Sequence, residues 1–233
     1  QDAFTSYFET QLVEDTLSLL IKLGFTPLVA PFKPNGKPLH VHGFLQQFKR
    51  TAKDTSENLR ALAQHNIPMM GIEPSMTLAY RSEYRTVLGA EEAPSVLLIQ
   101  EWLAKQTAML KSFSPRAQEN IDAAETGFHL LSHCTESTNA AASIGDWKTV
   151  FSALAQSLNV LDVGCCGMAG TYGHETDNVG TSKKIYQLSW SEAVNGSNYK
   201  GSLVATGYSC RSQVKRIDGL EIPHPLQALL KIL

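Results

Sequence analysis

Short apolar runs separated by amphipathic stretches constrain this chain more than any other feature. The uninterrupted apolar runs are only about five residues long, as at Leu28–Phe32 and Val96–Ile99. Such runs suit buried strands and fall far short of the roughly 20 residues of a membrane-crossing helix. In 8–23, Leu12, Val13, Leu17, Leu19, Leu20 and Leu23 form a helical stripe that Gly24 ends. Phe25–Phe32 then reads as a short buried strand, and Lys33–Pro38 as a Pro-Gly loop. A helix over about 43–65 follows, then a strand at Ile67–Gly71 that Glu73-Pro74 breaks. An amphipathic helix is expected over 94–112, with Ser114-Pro115 closing the region.

The order then recurs. Phe128–Ser132 reads as a strand ending at His133-Cys134, Asp146–Leu158 as a helix and Val160–Val163 as a strand. The glycine-rich loop Gly164–Gly173, a helix near 178–194 and a strand at Leu203–Gly207 complete the series. A shift of about 134 residues sets Pro31 and Phe32 on Cys165 and Cys166, Gly36 on Gly170, His40 on His174 and Met76 on Cys210. Gly71 falls near Gly207, and Gln1 within a residue of Cys134. Strands alternating with helices imply parallel βαβ units. The expected fold is therefore α/β, with two pseudo-repeated βαβ-type halves, short parallel sheets and flanking helices. The expected division is a cysteine-free first half over 1–90, a connecting helix over 91–120 and a second half over 121–233 that carries the cysteines. The repeat also puts the first strand of half one upstream of Gln1. A start at Gln rather than Met fits a piece of a longer polypeptide.

Composition narrows the function classes. At 43% hydrophobic, the 233 residues hold enough apolar material for a core, which excludes wholesale disorder. Twenty basic against 22 acidic residues argue against a nucleic-acid or membrane-surface binder. The 18% charged fraction is below the roughly 25% of an average domain, as expected of surface covered by another domain. No signal peptide opens the sequence, and a cytoplasmic, reducing setting is expected.

All four cysteines, Cys134, Cys165, Cys166 and Cys210, lie after residue 133. Adjacent Cys165-Cys166 is a poor disulfide pair. Each cysteine follows a predicted strand, and sites in open α/β sheets form at strand carboxyl ends. Thirty residues separate Cys134 from Cys165, and 43 separate Cys166 from Cys210. Thiolates suit iron–sulfur clusters, Zn²⁺ or Cu(I), although the CxxC pairs common in zinc ribbons and ferredoxins are absent. Gly164, Gly167, Gly170 and Gly173 let the loop turn N–H groups inward as an anion nest, which an anionic cluster requires more than zinc does. No GxxxxGK[ST] or GxGxxG occurs, which argues against a nucleotide.

Other candidates have plainer readings beside the functional ones. His133 and His174 are candidates to ligate metal, to donate to a cluster sulfur, or to make only local bonds. His40 has no cysteine beside it, and His129 lies within a strand. Glu136 and Glu175 are possible acid/base groups, against a reading in which Thr135 caps a helix and Glu136 complements its dipole. Arg211 and Lys215 either offset cluster charge, hold a neighbouring domain or line a solvated helix face. Lys33 and Lys37 suggest an anion loop or a plain turn, and Trp102, Trp147 and Trp190 suggest packing.

Cys134, Cys165-Cys166-Gly167 and Cys210 resemble the cysteine-rich CCG module of heterodisulfide reductase and of iron–sulfur subunits of glycolate, lactate and glycerol-3-phosphate dehydrogenases. A closer resemblance covers nearly the whole chain. HCTESTN (133–139), GCCGMAGTYGHE (164–175), SW (189–190), GYSCRSQVKR (207–216) and HPLQALL (224–230) are similar to the C-terminal region of large bacterial FAD and iron–sulfur D-2-hydroxyglutarate dehydrogenases. PFKPNGKP (31–38) and EPSMTLAYRSEY (73–84) agree with it. The resemblance implies a [4Fe–4S]-type cluster on the four cysteines, with zinc as the alternative. It also implies FAD and ferredoxin-like domains upstream in the same polypeptide, and an electron-transfer role in D-2-hydroxy-acid oxidation. Gln213 stands where the module's last cysteine is expected, which leaves four thiols rather than the five of a non-cubane cluster. One site is expected, not two. A structural zinc module, a metal-free docking domain and a thiol-redox pair are the rival readings.

Overall fold

The computed structural model describes residues 1–113, 127–196, 199 and 202–233. Ser114-Pro115 and the 120/121 boundary lie outside the described residues.

In residues 1–113 the helices are α1 (Ala3–Tyr7), α2 (Thr10–Lys22), α3 (Lys37–Val41) and α4 (Leu45–Ala63). Strand β1 (Met70–Gly71), α5 (Pro74–Thr77) and α6 (Glu83–Leu88) follow. Strand β2 (Leu97–Leu98) runs directly into α7 (Ile99–Leu103), and α8 is Thr107–Lys111. The expected helix over 94–112 is thus corrected. Its first turn is extended because Leu97 and Leu98 pair in parallel with Met70 and Gly71. Phe25–Phe32 is no strand either. No backbone hydrogen bond among the described residues ties Thr26–Phe32 to another segment, so its extended course has no ladder.

The second half holds β3 (Phe128–Leu131), α9 (Cys134–Asn139), α10 (Ala141–Ala153), β4 (Leu158–Val160), α11 (Val179–Gln187) and α12 (Trp190–Asn195). Strand β5 (Leu203–Ala205), α13 (Tyr208–Asp218) and α14 (Pro225–Ile232) complete it. The sheet order is β4-β3-β5, all parallel, with Phe128 opposite Leu158 and His129 opposite Leu203. The architecture is α/β with short parallel sheets flanked by helices, as the alternating pattern implied. Among the described residues no helix is long and apolar enough to cross a membrane.

Strand alternation divides the core, since neighbouring side chains point to opposite faces. Leu130 and Val204 face a cluster with Trp147, Phe151, Leu226 and Leu229 that extends to Leu19 and Leu20 of α2, Leu23 just after it and Ile99 of α7. Both halves therefore share one core. Leu131 and Ala205 face the opposite cluster, which contains Tyr186, Trp190, Cys166 and Cys210. A third cluster, Phe48, Ala52 and Tyr84, lies within half one.

Polar contacts also join the halves. The Arg211 guanidinium is buried and forms a two-pronged ion pair with Glu9, its Nε donating to Oε1 at 2.9 Å, while Nη1 donates to the Ala205 carbonyl at 2.7 Å. Removing one partner of a buried pair leaves the other charge uncompensated, at a cost of about 3–5 kcal/mol. Arg211→Met is expected to destabilise by about 3 kcal/mol, with Glu9→Gln costing less, because Glu9 is the more exposed partner. Urea unfolding of the three proteins measures both.

Asp2 caps α1, accepting from the Phe4 and Thr5 amides at 2.8 and 3.1 Å. Burial, with Glu73 nearby, pushes its carboxyl up to about 6. The folded state thus holds a proton that the unfolded chain releases near its ordinary 3.8. Stability is greatest below that value and falls as pH rises towards 6. Asn caps a helix as well as Asp. Asp2→Asn is therefore expected to stabilise by about 2 kcal/mol above pH 6 and not at pH 4, which melts across pH will test.

Candidate metal centre

Three strand ends deliver the four cysteines. Cys134 opens α9 directly after β3 and is half-buried. Cys165 and Cys166 lie in the loop after β4, the first half-buried and the second buried. Cys210 is buried in the first turn of α13, after β5. All four are free thiols.

They neighbour one another, and Cys210 acts on Cys134 as well as on Cys166. Cys165 interacts with Cys134 on one side and Cys166 on the other, and Cys166 with Cys210. Hydrogen bonds from Cys134 and Cys166 hold the Cys165 thiol far below its ordinary range. The same bonds, with burial, push Cys134 and Cys166 up. One thiolate is thus shared among its neighbours. The Gly167 amide also points at it, 3.3 Å from Sγ. Among the described residues no three His, Cys, Asp or Glu side chains converge, as they stand, into a group that could hold a single metal ion. The donor set itself, four adjacent sulfurs from three strand ends, is the chemistry of soft metals.

The remaining expected site residues are placed as follows. His133 is the N-cap of α9, its Nδ1 accepting the Thr135 amide at 3.1 Å. His133, not Thr135, therefore caps the helix, which corrects the sequence expectation. Burial drives its pKa down to about 4, so the ring is neutral. With Nδ1 accepting, its proton sits on Nε2. The negative charge of Cys165 is close enough to act on the ring. Gly164 is turned away from the thiols: its amide donates to Ser189 Oγ at 3.0 Å, and its carbonyl accepts from Trp190 Nε1 at 2.9 Å. Gly167 adopts φ +85°, and a Cβ there would stand 2.2 Å from the Ser182 carbonyl oxygen. His174 is exposed in the 3-10 turn Tyr172–His174, and no contact among the described residues ties it to the thiols. Gln213 is buried and donates to Ser182 Oγ at 2.8 Å.

Several flanking residues are committed elsewhere. Lys33 pairs with Asp54 at 2.7 Å and Lys37 with Glu83, which favours the plain-turn reading of their loop. Lys215 pairs with Glu221 at 2.7 Å on the surface, whereas Arg211 is buried. Glu136 is fully buried and accepts from Thr206 Oγ1 and Gln100 Nε2, each at 2.7 Å, and from Ser143. Thr206 Oγ1 in turn accepts the His133 amide at 2.9 Å. Trp147 and Trp190 are buried, and Trp102 packs on Phe25 with ring centroids 4.5 Å apart.

Two residues that position the site escaped the sequence reading. Glu73 of half one accepts the Tyr208 amide at 2.8 Å, capping the helix that carries Cys210. Glu9 holds Arg211, beside Cys210. Both partners lie more than 130 residues away in sequence, so no local pattern announces them.

Known proteins carry related sequences. The chain is similar along its whole length to part of bacterial D-2-hydroxyglutarate dehydrogenases. It is 43% identical over 234 residues to the protein of that name from Escherichia coli, and 45% over 231 residues to that from Pseudomonas putida. Those matches cover 100% and 99% of the chain but only 22% of each relative, in its C-terminal part. A component of the anaerobic glycerol-3-phosphate dehydrogenase of Escherichia coli is 25% identical over 236 residues, a match that covers 99% of the chain and 57% of that protein. No family profile and no solved structure matches the chain.

Gly167→Ala tests the loop. Left-handed strain and overlap with a backbone oxygen together are expected to cost about 3 kcal/mol. Denaturant unfolding reads the cost, and Gly170→Ala, whose Cβ would meet nothing within 4 Å, is expected to cost less.

Proposed function

We propose that Cys134, Cys165, Cys166 and Cys210 hold an iron–sulfur cluster of [4Fe–4S] type, and that the chain is the electron-transfer region of a larger FAD-dependent D-2-hydroxy-acid dehydrogenase. Four neighbouring free thiols delivered by three strand ends carry this reading. A single zinc ion requires its ligands around one point. Among the described residues no three donors converge in that way as they stand, whereas a cluster lets each sulfur bind a different iron. The dehydrogenase reading comes from the names of the relatives, which the chain matches over about a fifth of their length. It makes FAD and ferredoxin-like domains of the same polypeptide the partners of this region, and D-2-hydroxyglutarate or a D-lactate-type acid the substrate.

When bound, the cluster would accept and pass on single electrons. The protein's own contribution is positioning and electrostatics. Four strand-end and helix-start thiols would hold the iron. The Gly167 amide provides a donor to sulfur, and the neutral His133 ring stands close enough to feel the Cys165 charge. Donors to sulfur and burial are two of the determinants of a cluster's reduction potential. Cys166 and Cys210 are buried among Tyr186, Trp190, Leu131 and Val214, which exclude water on that side.

Iron and acid-labile sulfide analysis of anaerobically prepared protein tests the reading. About four irons per chain and a brown colour are expected. Cys134→Ser and Cys210→Ser are each expected to lose most of the iron and the visible absorbance. Zinc in place of iron after anaerobic reconstitution, or full iron retention in both variants, would overturn it.

A further inference from the structure

A cavity of about 640 Å³ lies in half one. Phe25–Pro31 and Met69–Ile72 both line it, together with apolar side chains of α2 and α4 such as Val13, Leu17 and Leu59. Gln1 and Asp2 stand at its edge. The metal reading does not absorb this space.

The second half shows what belongs in such a place. Its central strand β3 runs between β4 and β5, then enters a short helix and a 13-residue helix, α9 and α10. Half one has the same pair, a five-residue α1 and a 13-residue α2. His133 caps α9 and Asp2 caps α1, a separation of 131 residues that also relates α10 to α2. The same shift sets β4 and its next residue, Leu158–Leu161, on Pro27–Ala30. A shift of 134 sets Leu203–Ala205 on Met69–Gly71. Each outer edge is also paired: the Ala205 amide donates to the Pro223 carbonyl, and the Met69 carbonyl accepts from the Leu97 amide. The counterpart of β3 falls on the residues joined directly to Gln1, in the lane between the two walls.

The walls have the character of sheet edges facing that lane. Leu28 is 73% and Val29 45% exposed, unusual for a segment so apolar. β1 is only half-buried, whereas every residue of β5 is buried. Pro27 and Pro31 suit an edge strand, where a missing N–H costs no ladder bond on the outer side. A strand lane lined by unpaired backbone and apolar side chains is a template for an added strand.

We propose that this lane receives an extended apolar segment of about four residues joined directly to Gln1, which pairs in parallel with Phe25–Ala30 and Met70–Ile72. Half one then acquires the three-stranded order of half two, with β2 outside it. The relatives, of which the chain spans 22%, have length enough to supply it. The inference rests on the internal repetition and is independent of what the cysteines bind.

Hydrogen exchange tests it on the polypeptide translated from its own start codon, against the chain beginning at Gln1. In half two the Leu161 amide donates to the Leu130 carbonyl, and the Thr206 amide to that of Leu131. The corresponding donors are Ala30 and Ile72, with Leu28 next by strand alternation. In the longer polypeptide Leu28, Ala30 and Ile72 are expected to exchange at least about 100-fold more slowly, while Val29 is unchanged. Equal rates in the two proteins overturn the proposal. Uniform slowing of Leu28, Val29 and Ala30 also overturns it, because a domain laid over the lane protects without alternation.

Discussion

The placement of α13 depends on carboxylates from the other half of the chain. Its first amide, at Tyr208, donates to Glu73, and its Arg211 is gripped by Glu9. Glu73 is fully buried, and burial raises its pKa while the Arg211 charge opposes the rise. Its second task is local, since the same carboxylate accepts from Ser75 Oγ at 2.9 Å at the start of α5. One side chain therefore satisfies the beginnings of two helices, one in each half. Helix starts carry unpaired donors and partial positive charge, so a carboxylate there offsets part of its own desolvation. Cys210 is held at its position by that arrangement. A cysteine-free half is needed for this purpose alone.

A second buried network fixes the Cys134 end. Glu136 gathers Thr206, Gln100 and Ser143, and Thr206 binds the His133 amide. The carboxyl ends of β3 and β5 are thereby tied together immediately before the residues that carry thiols. Burial raises the Glu136 pKa to about 7, so a side chain that reads from sequence as an acid/base candidate is engaged in structure on every side. Gly207 completes the junction: a Cβ there would stand 2.2 Å from the His133 ring. The close approach of the two strand ends explains why glycine precedes α13.

Local pattern carried much of the fold. The stripe Leu12 to Leu23 became α2, and Gly24, at φ +84°, follows its end. Cysteines after predicted strands did come together, because parallel strands place their carboxyl ends on one edge. What failed depended on partners. Phe25–Phe32 has strand composition but no ladder, since pairing is not a property of one segment. Leu97 and Leu98 left their predicted helix because Met70 and Gly71 offered one. His133 caps a helix where Thr135 was expected, because burial keeps its ring neutral and able to accept. Arg211 was equally readable as a solvated residue, and only Glu9, 202 residues away, decides otherwise.

The first half closes its corresponding loop without thiols. The 134-residue shift that places Met76 on Cys210 and the 31–36 loop on the cysteine loop brings those segments together in the structure. Asn35 Nδ2 donates to Met76 Sδ at 3.2 Å and to the Met76 carbonyl at 3.3 Å, while Tyr84 Oη donates to the Asn35 carbonyl at 2.9 Å. Of these only the Met76 thioether falls on a cysteine position, and Pro31 and Phe32 stand where half two has Cys165 and Cys166. The Asn35, Met76 and Tyr84 groups are each neutral and satisfied by their neighbours, so the loop closes with no ion to bind its ends. Four adjacent thiols behave differently. Only one of them carries charge comfortably, and the others are pushed away from ionisation by burial and by that charge. A bound cation reverses this repulsion by favouring every thiolate at once. Under the proposed repeat and the proposed cluster, the two halves differ in whether the strand-end loops are neutralised from within or by a positive partner.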